Sequence, residues 1–173
     1  GTGSGILSGL TFHAPLYNSD YFKSYTGAQS SYFGHLAGAN HSSNDTFNLG
    51  VGWKAMGVGS LSGSALKNTA IGCVSLAYIE SGQGDTENTA VGYSSQYYMA
   101  EGRWNTSMGS KSLQGNLFTI GVGSTGNTVI GYGANSANTQ GSYNTSLGTG
   151  VAKSNTTGDY NITIGAYAHV ETA

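Results

Sequence analysis

The chain has 173 residues, a formal net charge of -2 and only 8% charged side chains, with 29 glycines against a single proline. Six Lys plus Arg leave no basic footprint for nucleic acid. Leu, Ile, Val and Phe make up 31 of the 173 residues, under the ~20% below which a highly charged chain would be disordered; with so little net charge, the apolar residues must instead be rationed into a repeating structure.

Residues 1–47 hold Pro15, three of the four histidines (His13, His35, His41) and the aromatic series Phe12, Tyr17, Tyr21, Phe22, Tyr25, Tyr32 and Phe33. The spacing of Tyr17, Tyr21 and Tyr25 fits one face of a helix, although their Ser-, Asn- and Gly-rich neighbours argue against one. Ser31–Gly38 reads as a worn copy of the repeat that follows. The stretch is expected to be an atypical N-terminal cap or a receptor-binding tip, because a solenoid needs its end covered.

Residues 48–173 form the repeat domain. The phrase Asn-Thr-small-aliphatic-Gly recurs at Asn68–Gly72, Asn88–Gly92, Asn105–Gly109, Asn127–Gly131 and Asn144–Gly148, with a degenerate copy at Asn48–Gly52 and a closing one at Asn161–Gly165. The leading asparagines are 20, 20, 17, 22, 17 and 17 residues apart, which predicts a solenoid of stacked turns with one short rung per repeat and loops of variable length. The expected fold is all-β. Strand alternation places Thr and the aliphatic residue on one side, and Asn, the small residue and Gly on the other. Val51, Ile71, Val91, Met108, Ile130, Leu147 and Ile164 then form one apolar ridge. Ala70, Ala90, Ser107, Val129, Ser146 and Thr163 form a smaller column suited to close approach of a neighbouring sheet or chain. The repeated Gly marks a turn, and the Asn column is expected to stack as an amide ladder. A ridge this thin is not buried by one chain, so several chains are expected to share a core.

The seven phrases from Asn48 to Gly165, with the spacer Asn155-Thr156-Thr157-Gly158-Asp159-Tyr160, resemble the left-handed parallel β-roll of trimeric autotransporter adhesin heads and of related bacterial and phage trimeric fibre proteins. The similarity spans about residues 48–173. Its departure from that pattern lies in spacings longer than the regular adhesin period, so the extra residues must leave the roll as loops. The resemblance implies a left-handed roll, an intertwined or side-by-side homotrimer, a segment cut from a longer fibre, and an extracellular place on a cell surface or virion. There is no charged-then-apolar signal segment and no run of about 18 apolar residues that would span a bilayer, so membrane insertion by this segment is not expected.

Chemistry for catalysis is sparse. The carboxylates Asp20, Asp45, Glu80, Asp85, Glu87, Glu101, Asp159 and Glu171 are scattered. Only Glu80, Asp85 and Glu87 are close enough in sequence to suggest the pair that glycoside hydrolysis needs, and a solvated loop explains them as well. No nucleophile elbow or phosphate loop occurs. The histidines lack metal-ligand spacing, and the lone Cys73 reads as a neutral filler after Gly72. No catalytic residue, metal or cofactor is expected.

The candidate binding surface is aromatic. Between two phrases, Tyr97, Tyr98, Glu101, Arg103 and Trp104 bring flat rings next to a charged hydrogen-bonding fork, which suits the apolar faces and polar edges of sugars. The competing reading has Tyr98 and Trp104 fold back to seal the roll. Tyr17, Tyr21 and Tyr25 form the second candidate, and Trp53, Tyr93 and Tyr132 share a column that reads as a structural stack. The expected function is a non-enzymatic adhesive, glycan-binding segment. The alternatives are a purely structural shaft and, more remotely, a tailspike-like glycan-degrading enzyme or an ice-binding solenoid.

Overall fold

The computed structural model describes residues 22–25, 28–41, 45–57, 65–78, 87–98, 101–115 and 123–169. Nine strands lie in one sheet in chain order: β1 (Phe22–Tyr25), β2 (Ser30–Phe33), β3 (Leu49–Val51), β4 (Thr69–Ile71), β5 (Thr89–Val91), β6 (Thr106–Met108), β7 (Thr128–Ile130), β8 (Thr145–Leu147) and β9 (Ile162–Ile164). The β1–β2 pair is antiparallel, and every later pair is parallel with the phrase in register, so that Thr69 meets Thr89 and Ile71 meets Val91. No helix forms among the described residues. The chain is a β-solenoid, as the period predicts, and its parallel ladder reaches back to β2.

Each coil closes through residues in the left-handed region. In the β4 coil these are Lys67 (φ 58°), Gly72 (φ 136°), Val74 (φ 48°) and Leu76 (φ 46°), and the β5 coil repeats the positions with Glu87, Gly92, Ser94 and Gln96. Such geometry costs about 1–2 kcal/mol for a residue bearing a Cβ. Bonds to the neighbouring coils offset it: Val74 donates to the Trp53 carbonyl at 2.8 Å and Leu76 to the Ser95 carbonyl at 2.9 Å. Glycine is required at the fifth position for a second reason. A Cβ on Gly109 would stand 2.5 Å from the Gly131 carbonyl oxygen.

The asparagines are the principal link between coils. Asn105 Oδ1 accepts the backbone N–H of Asn127 at 3.0 Å, and its Nδ2 donates to the Ser124 carbonyl at 2.7 Å. Asn48 holds Asn68 and Ala65 in the same way, Asn127 holds Asn144 and Gly141, and Asn144 holds Asn161 and Gly158. Each amide therefore grips the next coil at two points: the next Asn and the carbonyl three residues before it. Ser30 opens the series, accepting from Asn48 N–H at 3.0 Å and donating to the Asp45 carbonyl at 3.2 Å.

In the sequence, the residues by which longer coils exceed 17 come between the tenth residue after the Asn and the third residue before the next one. In two of the three 17-residue coils, those that begin at Asn127 and Asn144, the gap is closed by an Asn-x-x-Gly clasp. Gly141 N–H donates to Asn138 Oδ1 at 2.8 Å while Asn138 Nδ2 donates back to the Gly141 carbonyl at 2.7 Å, and Asn155 with Gly158 repeats the arrangement.

The interior takes the Asn and small columns, which corrects the expectation that the small residues face another sheet or chain. Ala70, Ala90, Ser107, Val129 and Ser146 are buried inside their own coil, because the coil is too narrow for larger groups at that position. Two apolar clusters result, one of Tyr32, Ala37, Ala55, Met56, Ala65, Ala70, Leu76 and Ala90, the other of Leu113, Val129, Ala134, Val151 and Ala152. Between them runs a polar seam in which Gln96 Nε2 donates to Ser107 Oγ at 3.0 Å and Ser95 bonds Ser112 at 3.0 Å. The degenerate phrase at Asn48 also has a cause. A Cβ on Gly50 would stand 2.6 Å from the Tyr32 ring, which plugs the first coil and bonds His41 Nδ1 at 3.0 Å. Burial, followed by the nearby Lys23, holds His41 below its ordinary pKa against the opposing pull of Asp45.

Asn105→Ala should destabilise the chain by about 2 kcal/mol, because it leaves the buried Asn127 N–H without a partner and the Ser124 carbonyl with only the 3.3 Å bond from Arg103 N–H, and an unmet buried group costs roughly 1–3 kcal/mol. Asn161→Ala removes a side chain with no coil beyond it among the described residues, and should cost under about 1 kcal/mol. Urea denaturation of the two variants side by side measures the difference, and equal losses would mean that the ladder is not the link between coils.

Candidate functional site

The outward side of the sheet carries the Thr column and the aliphatic column. Ile71 is 39%, Met108 50%, Ile130 38% and Leu147 44% exposed, and with Phe33, Val51, Val91 and Ile164 they make an unbroken apolar stripe along all eight parallel strands. Two aromatic-rich columns border it. Phe47, Lys67, Glu87, Trp104, Gly126, Tyr143 and Tyr160 precede the asparagines; Trp53, Cys73, Tyr93, Ser110, Tyr132, Thr149 and Ala166 follow the glycines.

Trp104 thus stands at the margin of the stripe, 55% exposed, and does not seal the interior. It takes the left-handed position before Asn105, at φ 56°. In the same column the Tyr143 and Tyr160 rings stack at 5.1 Å and 10°, with Tyr143 lying over Gly126. Trp53, Tyr93 and Tyr132 do not form the expected stack. Coils bearing Cys73 and Ser110 separate them, and all three are exposed.

Tyr97 and Tyr98 lie at the opposite end of their coil and meet Tyr78 of the coil before. Tyr78 and Tyr98 stack at 5.4 Å and 30°, while Tyr97 stands edge-on to both, at 5.1 Å and 4.4 Å. Tyr78 was not singled out from the sequence, yet it falls ten residues after Asn68, as Tyr98 falls ten after Asn88. Counting from the asparagines pairs them. Glu101 is half-buried, and its carbonyl packs against Gly123, where a Cβ would clash. Arg103 forms a β-bridge with Thr125 and is half-buried. The structure brings Tyr97 and Tyr98 together with Tyr78, and puts Trp104 in a different column with no ring contact to them. Tyr17 and Tyr21 lie outside the described residues, as does the side chain of Tyr25, whose backbone belongs to β1.

Of the acidic group, Glu80 and Asp85 lie outside the described residues, and Glu87 pairs with Lys67 at 3.1 Å. That pair is exposed and contributes little. Among the described residues no group of His, Cys, Asp and Glu could hold a metal ion, and no helix is long and apolar enough to cross a membrane. Compared with known proteins, the chain matches no family model, no curated protein and no solved structure.

Desolvation, reinforced by Tyr78 and Tyr98, pushes the Tyr97 phenol up to about 12. Its neutral form is favoured in the folded chain, so its contribution to stability is complete below the unfolded value of about 10 and is lost as pH climbs towards 12. An ultraviolet titration of tyrosinate should show a late component that Tyr97→Phe removes. A Tyr97→Phe curve identical to the original would mean that the three rings do not pack together.

Proposed function

We propose that this chain is a non-enzymatic, adhesive segment of a homotrimeric surface fibre that binds glycans, of the kind represented by trimeric autotransporter adhesin heads and phage or bacterial fibre proteins. One observation carries the reading: the aliphatic column faces outward along the whole ladder. At ~4.8 Å per strand, seven steps make a stripe roughly 34 Å long, and an apolar patch of that extent marks an interaction surface. Three copies around an axis parallel to the ladder bury it against itself, one strand level at a time, which suits a left-handed roll set side by side or intertwined. The resemblance of the seven phrases to the adhesin repeat supports the same number of chains and an extracellular, cell-surface or virion setting.

The ligand contacts are assigned to the side of the coil where length varies, since recognition on a rigid scaffold sits on its loops. Tyr97 and Tyr98, with Tyr78 beside them, offer ring faces to a sugar, and Glu101 and Arg103 lie within the next five residues, whereas Trp104 stands at the margin of the apolar stripe and is not among these contacts. Three copies per fibre raise a weak site to useful strength through avidity.

Light scattering should return three times the 17.7 kDa of the chain. Ile130→Asp should reduce that to one, because it places three unpaired charges in the shared stripe. A wild-type protein that remains a monomer at micromolar concentration overturns the assembly.

On a glycan array, Tyr97→Ala and Tyr98→Ala should each lower binding by about tenfold or more while the mass stays trimeric, equivalent to a loss of about 1.4 kcal/mol per site. A trimer that binds no glycan favours the structural shaft instead.

A further inference from the structure

The two ends of the ladder are finished differently. At one end β1 turns back antiparallel on β2 and places Lys23 on the outermost strand. At the other end β9 pairs only with β8. Natural sheets guard an edge with charge, proline or a bulge, yet Tyr160–Ala168 contains no charged residue and no proline.

The open edge presents the same groups that join every inner coil to the next. On inner strands the first residue donates its N–H to the Asn carbonyl of the following coil, as Thr128 does to Asn144 at 2.8 Å. The aliphatic carbonyl accepts from the following Gly, as Ile130 accepts from Gly148 at 2.9 Å, and the Asn Oδ1 accepts from the following Asn. Ile162 N–H, the Ile164 carbonyl and Asn161 Oδ1 are the corresponding groups on β9, and no partner engages them among the described residues. The side chains agree. Ile162 is 78% and Ile164 65% exposed. Gly165 lacks the close carbonyl contact its counterparts make, since a Cβ there would meet only Ala168 Cβ, at 4.0 Å.

We propose that the β9 edge is a docking surface for one more coil of the same kind: an Asn-led parallel strand with Gly at its fifth position, carried by polypeptide outside these 173 residues. The complementarity is specific. Asn161 Oδ1 takes a backbone N–H, Ile162 and Ile164 take a β-branched or aliphatic neighbour on the outward side, and Gly165 takes the backbone carbonyl of a second glycine. The four residues 170–173 are too few to build a coil of 17. A second copy offers no free Asn-led strand of this pattern either: the sequence has an Asn four residues before a Gly only in the seven phrases of the ladder, those on β3–β8 have a neighbour on each side, and its own β9 sets an Oδ1 acceptor against an Oδ1 acceptor.

The test joins a copy of residues 141–155 to Ala173 of the full chain through a short Gly-Ser linker, which sets a roughly millimolar effective concentration. Native-state hydrogen exchange at the Ile162 amide should slow by about tenfold or more relative to a fusion bearing the same residues in scrambled order. Replacing the copy's leading asparagine by alanine should remove most of that protection. Equal Ile162 exchange in the copied and scrambled fusions overturns the proposal. So does an unfused chain whose Ile162 amide is already protected in a species of twice the assembled mass, because the occupant is then a second copy. Neither outcome bears on whether the assembled unit is a trimer or binds glycans.

Discussion

The buried carboxamide between coils is the constraint on which this fold depends. A coil with one three-residue strand has little strand backbone to pair, and its interior holds only a few, mostly small, apolar side chains, so ordinary burial does not set its register. The asparagine does so by gripping two backbone groups of the next coil at once. Inside a narrow, dry coil those bonds have no water to compete with them, and an unmade one costs more than a made one gains. Slipping the register by one residue would point the amides outward and leave both groups unpaired.

Once the amides occupy the interior, the rest of the cross-section follows. Only small groups fit beside them, hence Ala70, Ala90 and Ser107, and where a larger ring enters, as Tyr32 does, the neighbouring coil answers with Gly50. The left-handed residues let the chain come back on itself within a few residues of the strand. The aliphatic side chains have no room inside and stand on the outer face, so the same geometry that completes the single coil leaves it with an apolar stripe. Asn135 marks the limit of this arrangement. It suits its left-handed position at φ 46°, yet its amide is wholly buried with neither of its polar atoms hydrogen-bonded.

Strand position, register and the amide ladder were legible because each depends on a residue type at a fixed spacing. The choice of inner face was not. Alternation separates two sets of residues without saying which is enclosed, and apolar character alone nominates the wrong set; coil width decides, and it depends on where the left-handed residues fall. The first coil was only half legible, since Ser30 does the work of asparagine with a single hydroxyl. Within the candidate site, Tyr97 and Tyr98 were found by local density, whereas their partner Tyr78 is 19 residues before Tyr97 and close only through the stacking of coils. The same stacking moves Trp104 out of the cluster and into a column with Tyr143 and Tyr160.

The Asn-x-x-Gly clasps at Asn138 and Asn155 have a consequence for how such a chain changes over time. Each clasp closes a 17-residue unit whose beginning and end have matching hydrogen-bonding groups. A whole unit can be duplicated or deleted and the flanking coils still meet with their amides in register, lengthening or shortening the rod by one strand spacing of ~4.8 Å while its cross-section stays constant. Gains and losses of any other size displace the amides, unless they fall at the corner where the clasp can be replaced by a loop. Reach and surface decoration are therefore separately adjustable: whole units set how far the rod extends, and the corner sets what it displays.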